Sequence, residues 1–145
     1  MKVEQLMSKS VIKIHPEESV EVASRTLTHY NIGALPVCDA EDRLCGVLTD
    51  RDVVTRCIAA NRSPKETKVA DIMTRNVVSA PKDMDSADAA HLMSLQQIRR
   101  LPVIENGHVK GMLSLGDLAR WEGGIMDAAD ALSGISEQIK NMKKY

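Results

Sequence analysis

Phenylalanine is absent from this chain of 145 residues, and only one Trp and two Tyr are present. A core without large aromatics has to be assembled from Val, Ile, Leu, Met and Ala, and eight Met residues supply adaptable packing. The same scarcity excludes stacking on aromatic platforms as a way of gripping nucleic acid. An excess of one charge is also missing. Nineteen Lys and Arg against twenty Asp and Glu leave a net charge of −1, so there is no global pull toward nucleic acid or an anionic membrane. The basic cluster Lys140, Lys143 and Lys144 is short and interrupted, and reads as a solvated helix end. No run approaches the ~20 apolar residues of a membrane span. Met1 to Leu6 lack the apolar stretch of a signal peptide, so the expectation is a cytoplasmic protein with no membrane partner.

Cysteine is sparse too. Three is an odd number, which argues against a disulfide framework. Cys38 and Cys45 flank a turn and read as ordinary thiols, and Cys57 reads as core. With His15 and His29 they match no zinc spacing, so no metal site is expected. No Ser, His and Asp arrangement and no glycine-rich loop with a Lys is present, so no catalytic residue is nominated.

What the chain does contain is one unit written twice. Leu35-Pro36-Val37 and Gly46-Val47-Leu48-Thr49-Asp50-Arg51-Asp52 return as Leu101-Pro102-Val103 and Gly111-Met112-Leu113-Ser114-Leu115-Gly116-Asp117, at a period of about 65 residues. Val3 to Met7 return as Val69 to Met73, Val11-Ile12 as Val77-Val78, Pro16 as Pro81, and Ala23 and Leu27 as Ala89 and Met93. Within the first copy, Val11 to Ile14 is β-branched and ends at Pro16, which predicts a short strand. Glu17-Glu18-Ser19 opens a helix whose Val20, Ala23, Leu27 and Tyr30 share one face, and Asn31 and Gly33 close it. Ala34 to Cys38 and Leu44 to Leu48 predict a hairpin across Asp39-Ala40-Glu41-Asp42. A second helix starts at Thr49 and ends at Asn61-Arg62-Ser63-Pro64.

The expected fold is therefore α/β (α+β): two pseudo-two-fold related repeats of β-α-β-β-α type, with a ligand site in the cleft between them. The boundaries are repeat 1 at 1–62, a linker at 63–68, repeat 2 at 69–122 and a helical extension at 123–145. In the extension Ile125, Ala128, Ala129, Leu132, Ile135, Ile139 and Met142 recur at helical spacing. This helix either packs on its own domain, with Gly134 weakening it, or forms a seam with a second chain.

The doubled motifs resemble a tandem pair of CBS (cystathionine beta-synthase) domains, a Bateman module, of the stand-alone bacterial type similar to hypoxic response protein. The resemblance covers roughly residues 3 to 122. It implies a regulatory sensor rather than an enzyme. Such a module binds an adenosine derivative (AMP, ADP, ATP or S-adenosylmethionine) and forms a homodimer. It passes a conformational signal to an unidentified protein effector, since this chain carries no effector domain. The alternative is a homodimeric interaction protein with vestigial nucleotide pockets.

Two unequal sites are expected. In the first, the Asp52 carboxylate can accept hydrogen bonds from ribose hydroxyls. Thr49, with free amides at the helix start, can donate to phosphate, and Arg51 can pair with phosphate. The resemblance places adenine against Val11, Ile12, Ala34, Leu35 and Pro36. In the second, Val77, Val78, Leu101, Pro102, Ser114 and Asp117 are the counterparts. Arg51 has no equivalent there, but Arg99 and Arg100 replace Gly33 and Ala34, and the resemblance points Arg100 at phosphate. Thr-x-x-Asp at a helix start is also a capping box, and one pair of side chains can cap and bind.

Overall fold

Each copy of the motif folds into a small sheet flanked by helices, and the copies exchange their leading segments. The computed structural model describes residues 1–121 and 124–142, with side chains described as far as Glu137. Ile139 and Met142 of the predicted apolar face, and Lys140, Lys143 and Lys144 of the basic end, lie outside the described side chains. Contacts divide the chain into two units. One comprises Met1–Val11, Val78–Asn106 and Lys110–Tyr145, and the other Ile12–Val77 with Gly107–Val109.

The unit of the first repeat holds α2 (Val20–Tyr30), β1 (Ala34–Cys38), β2 (Leu44–Thr49), α3 (Asp50–Asp52, continued as a π-helix over Val53–Ile58) and α4 (Val69–Ile72). The Ser19 side chain caps α2, and Asn31, in the left-handed conformation at φ 52°, ends it. Strands β1 and β2 are antiparallel. Ile14 joins β1 in parallel, and Thr74 joins the far edge at Val47. The strand expected over residues 11–14 is thus a single bridge at Ile14, whose N–H donates to Pro36 O (3.0 Å) and whose carbonyl accepts from Cys38 N–H (2.9 Å). The order of the sheet is Ile14, β1, β2, Thr74. Gly46 sits where that last segment crosses: a Cβ there would lie 2.7 Å from the Thr74 carbonyl, so no larger residue fits.

The unit of the second repeat has the same plan. It holds α1 (Val3–Leu6), β3 (Ala80–Pro81), α5 (Ser86–Gln96), β4 (Arg100–Glu105), β5 (ending at Ser114), α6 (Leu115–Arg120) and α7 (Ile125–Met142). Strand β3 is parallel to β4, β4 neighbours β5, and Ser8 closes the edge against Met112. Ser8 fills here the place Thr74 fills in the first sheet. The hydrogen bond from Val3 N–H to Met84 O (2.9 Å) repeats that from Val69 N–H to Glu18 O (2.8 Å).

Each unit has its own aliphatic core. Val20, Ala23, Leu27, Leu35, Val37, Leu48, Cys57, Val69 and Ile72 form one. Val3, Ala89, Met93, Leu101, Val103, Leu113, Leu118, Ala128 and Ala131 form the other. Complete burial of each Val, Leu, Ile or Met side chain contributes roughly 1.5–3 kcal/mol, which is how a core without Phe is sustained. Tyr30, expected on the buried face of α2, is half exposed and packs edge-on against His29 instead. It is the last residue before the left-handed Asn31, where the helix has already left the core.

Helix α7 packs on its own unit, against α5 and α6. Ala128, Ala131 and Ile135 are buried, while Ile125, Met126 and Leu132 are exposed. Gly134 has a positive role here rather than a weakening one. A Cβ at that position would meet Ser94 Oγ at 2.2 Å, so the glycine permits the close crossing of α7 over α5.

Candidate functional site

The two hydroxyl–carboxylate motifs fold into matching capping boxes. Strand β2 ends at Thr49 in extended conformation, and the chain turns into α3. Thr49 N–H donates to Asp52 Oδ2 (3.0 Å), and Asp52 N–H donates to Thr49 Oγ1 (3.1 Å). Ser114 and Asp117 repeat this at 2.8 and 3.0 Å. Each satisfies two amides that a helix start would otherwise leave unpaired.

Each carboxylate also has a cation beside it. Arg56 Nε lies 3.7 Å from Asp52 Oδ1, one turn along the helix, and Arg120 pairs with Asp117 Oδ1. The carboxylates themselves are only 10% and 13% exposed. Sequence reasoning nominated Arg51 and passed over Arg56 and Arg120. The signal was a carboxylate followed by Arg three or four residues on, a spacing that faces side chains on a helix. Arg51 is exposed and makes no ion pair among the described residues. An ionised carboxylate has about four acceptor positions. With one amide and one guanidinium engaged, Asp52 and Asp117 each retain acceptor capacity for a diol.

The expectation of free amides at the first helix start is corrected by the structure. Asp50 N–H donates to Gly33 O (3.0 Å), and Arg51 N–H donates to the Asp50 side chain (2.8 Å). Asp52 N–H is held by Thr49, so all three amides are occupied. Asp50 does not point away either, because its carboxylate covers Gly33, 3.4 Å from where a Cβ would be. A phosphate at this point would meet a carboxylate and no free backbone amide, leaving the Thr49 hydroxyl and the Arg51 side chain as donors. In the second unit Leu115 N–H donates to Arg99 O (2.8 Å), the counterpart of the bond from Asp50 to Gly33. No acidic side chain follows, since Leu115 stands where Asp50 does.

The remaining nominated residues separate by burial. Leu35, Pro36, Leu101 and Pro102 are buried, with Leu35 and Leu101 inside the cores. Pro36 has no N–H, and its carbonyl accepts from Ile14. Ala34 is half-buried beside Thr49, its partner across the hairpin. Ile12 and Val78 pack at the edges of the cores of their own repeats. Val11 belongs to the unit of the second repeat and Val77 to that of the first.

Two cavities in the second unit divide the nominated residues between them. Arg100 and Ser114 line one of about 580 Å³, with Arg99, Leu115, Gly116 and α7. Asp117 lines another of about 480 Å³, with Met7, Ser8, Arg120 and Trp121. In the first unit a cavity of about 510 Å³ beside α2 and the π-helix is lined by Arg25, His29, Val53 and Ile58, and by none of the nominated residues.

The family's sequence profile, described as CBS domain, matches residues 3–58 and 69–124. The chain belongs to the CBS domain family. Its two CBS repeats are 35% identical to the CBS domain-containing protein YhcV of Bacillus subtilis over 94% of this chain and 96% of that protein. The crystal structure of Hypoxic Response Protein I with two coordinated zinc ions superposes at a TM-score of 0.77, with 28% identity, over 83% of this chain and 98% of that one. The CBS domain pair of protein MJ0100, in complex with 5′-methylthioadenosine and S-adenosyl-L-methionine, superposes at 0.75 with 31% identity, over 86% and 98%. The fold is that of a CBS domain pair, as the repeat pattern predicts. The zinc ions belong to that neighbour. Among the described residues of this chain, no three His, Cys, Asp or Glu stand together as a metal site, and no helix is long and apolar enough to cross a membrane.

Proposed function

We propose that this CBS pair is a regulatory module that binds an adenosine derivative through Asp52 and Asp117, and that it performs no catalysis. The observation that carries this reading is the duplicated arrangement of a nearly buried carboxylate, held by a backbone amide and a neighbouring Arg, that keeps unused acceptor capacity. Two such acceptors suit the vicinal hydroxyls of ribose. A related pair in complex with two adenosine compounds supports the ligand class. Output would follow from differential affinity: a ligand that prefers one conformation shifts the population, and a homodimer or a protein effector reads the shift.

A thermal-shift screen with AMP, ADP, ATP, S-adenosylmethionine and 5′-methylthioadenosine tests the reading. A ligand at ~100 times its dissociation constant adds ~2.7 kcal/mol to stability, which is readily seen. Unchanged melting with every compound would overturn it.

A second reading is favoured by a separate observation. Ile125, Met126 and Leu132 leave an exposed apolar strip on α7, which fits an interaction protein that assembles through this helix with vestigial pockets. Sedimentation of the wild type against Met126→Lys separates the two: only the second reading requires the assembly to be lost while adenosine compounds remain inert.

A further inference from the structure

Each unit is a template for the other, and the two differ at one contact. In the first, the Arg56 guanidinium bridges its helix to the end of α4. It pairs with Asp52, and Nη1 donates to the carbonyls of Ile72 and Met73 at 3.2 and 3.3 Å. In the second, the corresponding positions are Trp121, Asp117, Leu6 and Met7. The backbone that presents the two carbonyls is unchanged. Met7 has φ −67° and ψ 155°, and Met73 has φ −65° and ψ 156°. Both segments then join a hairpin edge in the same way, Ser8 at Met112 and Thr74 at Val47. What differs is the bridging side chain. Trp121 stands at the place of Arg56, just past the end of α6. Among the described residues no N–H or side-chain donor reaches the carbonyls of Leu6 and Met7. The cavity of about 480 Å³ lies here, and Leu6, Met7, Asp117, Arg120 and Trp121 are among the residues that line it.

We propose that this cavity is a binding site for an alkylguanidinium, whose head takes the place that the Arg56 side chain fills in the first unit. Carbonyl oxygens only accept, so the group that complements Leu6 and Met7 must donate. Trp121 is half-buried, and indole is the best aromatic face for a cation. A planar guanidinium can stack on that face and still direct its N–H groups to acceptors at its edge. The side chains of Leu6 and Met7 give the alkyl stem an apolar, adaptable surface. Two cations border the cavity, and both are already paired: Arg120 with Asp117, and the Met1 amino group with Asp85 at 3.7 Å. An incoming cation therefore meets ion pairs rather than free positive charge. The first unit carries its own guanidinium, so one site per chain is expected. This site draws on carbonyls and an indole, and it stands whether or not Asp117 accepts from a ribose.

The probe is butylguanidinium, with the neutral butylurea of similar shape as its control. Trp121 is the one Trp of the chain, so tryptophan fluorescence of the full-length protein reports on this cavity alone. The expected result is a saturable change in emission with butylguanidinium, and a stoichiometry of one per chain by calorimetry. Butylurea is expected to bind about tenfold more weakly or worse, because its hydrogen bonds are not charge-assisted. Trp121→Arg places the residue of the first unit in the cavity, and calorimetry should then show butylguanidinium affinity reduced by about tenfold or more, since a tethered guanidinium occupies the carbonyls. Trp121→Leu removes the indole face and should weaken binding by about threefold. Melting curves show whether each variant is folded, and Trp121→Leu decides the matter if Trp121→Arg is not. Absence of saturable butylguanidinium binding overturns the proposal. So does equal affinity for butylurea, or affinity left unchanged by the deciding substitution at Trp121.

Discussion

Arg56 ties Asp52 to the other edge of its own unit: Nε lies 3.7 Å from Asp52 Oδ1, and Nη1 donates to the carbonyls of Ile72 and Met73 at 3.2 and 3.3 Å. One guanidinium therefore neutralises the candidate ligand carboxylate and caps the end of α4. Arg56→Ala is expected to lower stability by about 1–2 kcal/mol, because a partly buried carboxylate and two carbonyls lose a charged donor. Arg51→Ala, which removes no such contact, is expected to stay within about 0.5 kcal/mol. Urea unfolding of the two variants measures the difference, and equal midpoints would show that the Arg56 bridge contributes nothing.

The two roles of Asp52 can be separated by the size of the change. Asp52→Asn keeps an acceptor for Thr49 N–H, whereas Asp52→Ala removes it and should cost about 1 kcal/mol as a lost cap. Both remove the charged acceptor for a diol. The melting shift produced by an adenosine ligand is therefore expected to shrink in both variants, although only the alanine variant is substantially less stable. A full ligand shift in Asp52→Asn would leave the carboxylate with capping alone.

Gly134 gives a test with a sign. In an exposed helix interior, Gly→Ala stabilises by up to about 1 kcal/mol through helix propensity. Here the added methyl would run into Ser94 Oγ, so Gly134→Ala is expected to destabilise the protein, and adding Ser94→Ala is expected to recover part of the loss. Differential scanning calorimetry of the single and double variants reads this directly. A rise in melting temperature for Gly134→Ala alone would show that α7 does not cross α5 closely.

The cysteines should differ in reactivity and in their effect at high pH. A β-bulge between Val37 and Cys38 pairs Cys38 with Leu44, so Cys45 has no partner directly across the hairpin. Cys38 is buried, and burial first, with Asp42 nearby second, pushes its thiol up to about 11 from 9.0. Cys45 is half-buried and should be alkylated by iodoacetamide well before Cys38 or Cys57, as peptide mapping would show. Because the folded-state pKa of Cys38 is raised, its contribution to stability is intact below about pH 9 and is lost as the pH rises toward 11. Cys38→Ser or Cys38→Ala should flatten that alkaline decline, and an unchanged slope from pH 9 to 11 would count against the assignment.

The duplicated architecture was legible because local signals agreed with one another. Ser19 as a cap, Asn31 as a helix end, the hairpin from Ala34 to Thr49 and the Thr49–Asp52 pair were all readable from neighbouring residues. Val11 to Lys13 were misread as strand, with only Ile14 pairing, because β-branched residues signal extended chain whether or not each of them pairs. The free amides assigned to the helix start at Thr49 failed because the Asp50 side chain turned back to accept from Arg51 N–H while Asp50 N–H reached the Gly33 carbonyl. The cavity under α7 was out of reach, since it exists only where Arg99, Ala119 and Ala129 are brought together by folding.

The exchange of leading segments bears on how the chain comes off the ribosome. Ser8 emerges early, yet its partner Met112 is more than a hundred positions later. The sheet that includes Ile14 and Thr74 has its strands within a much shorter span. Long-range closure is slow, so the amino-terminal segment waits, unpaired, while one sheet assembles behind it. During that wait Val3, Leu6 and Met7 are apolar side chains whose core is not yet made, because the residues they pack against come from the second repeat.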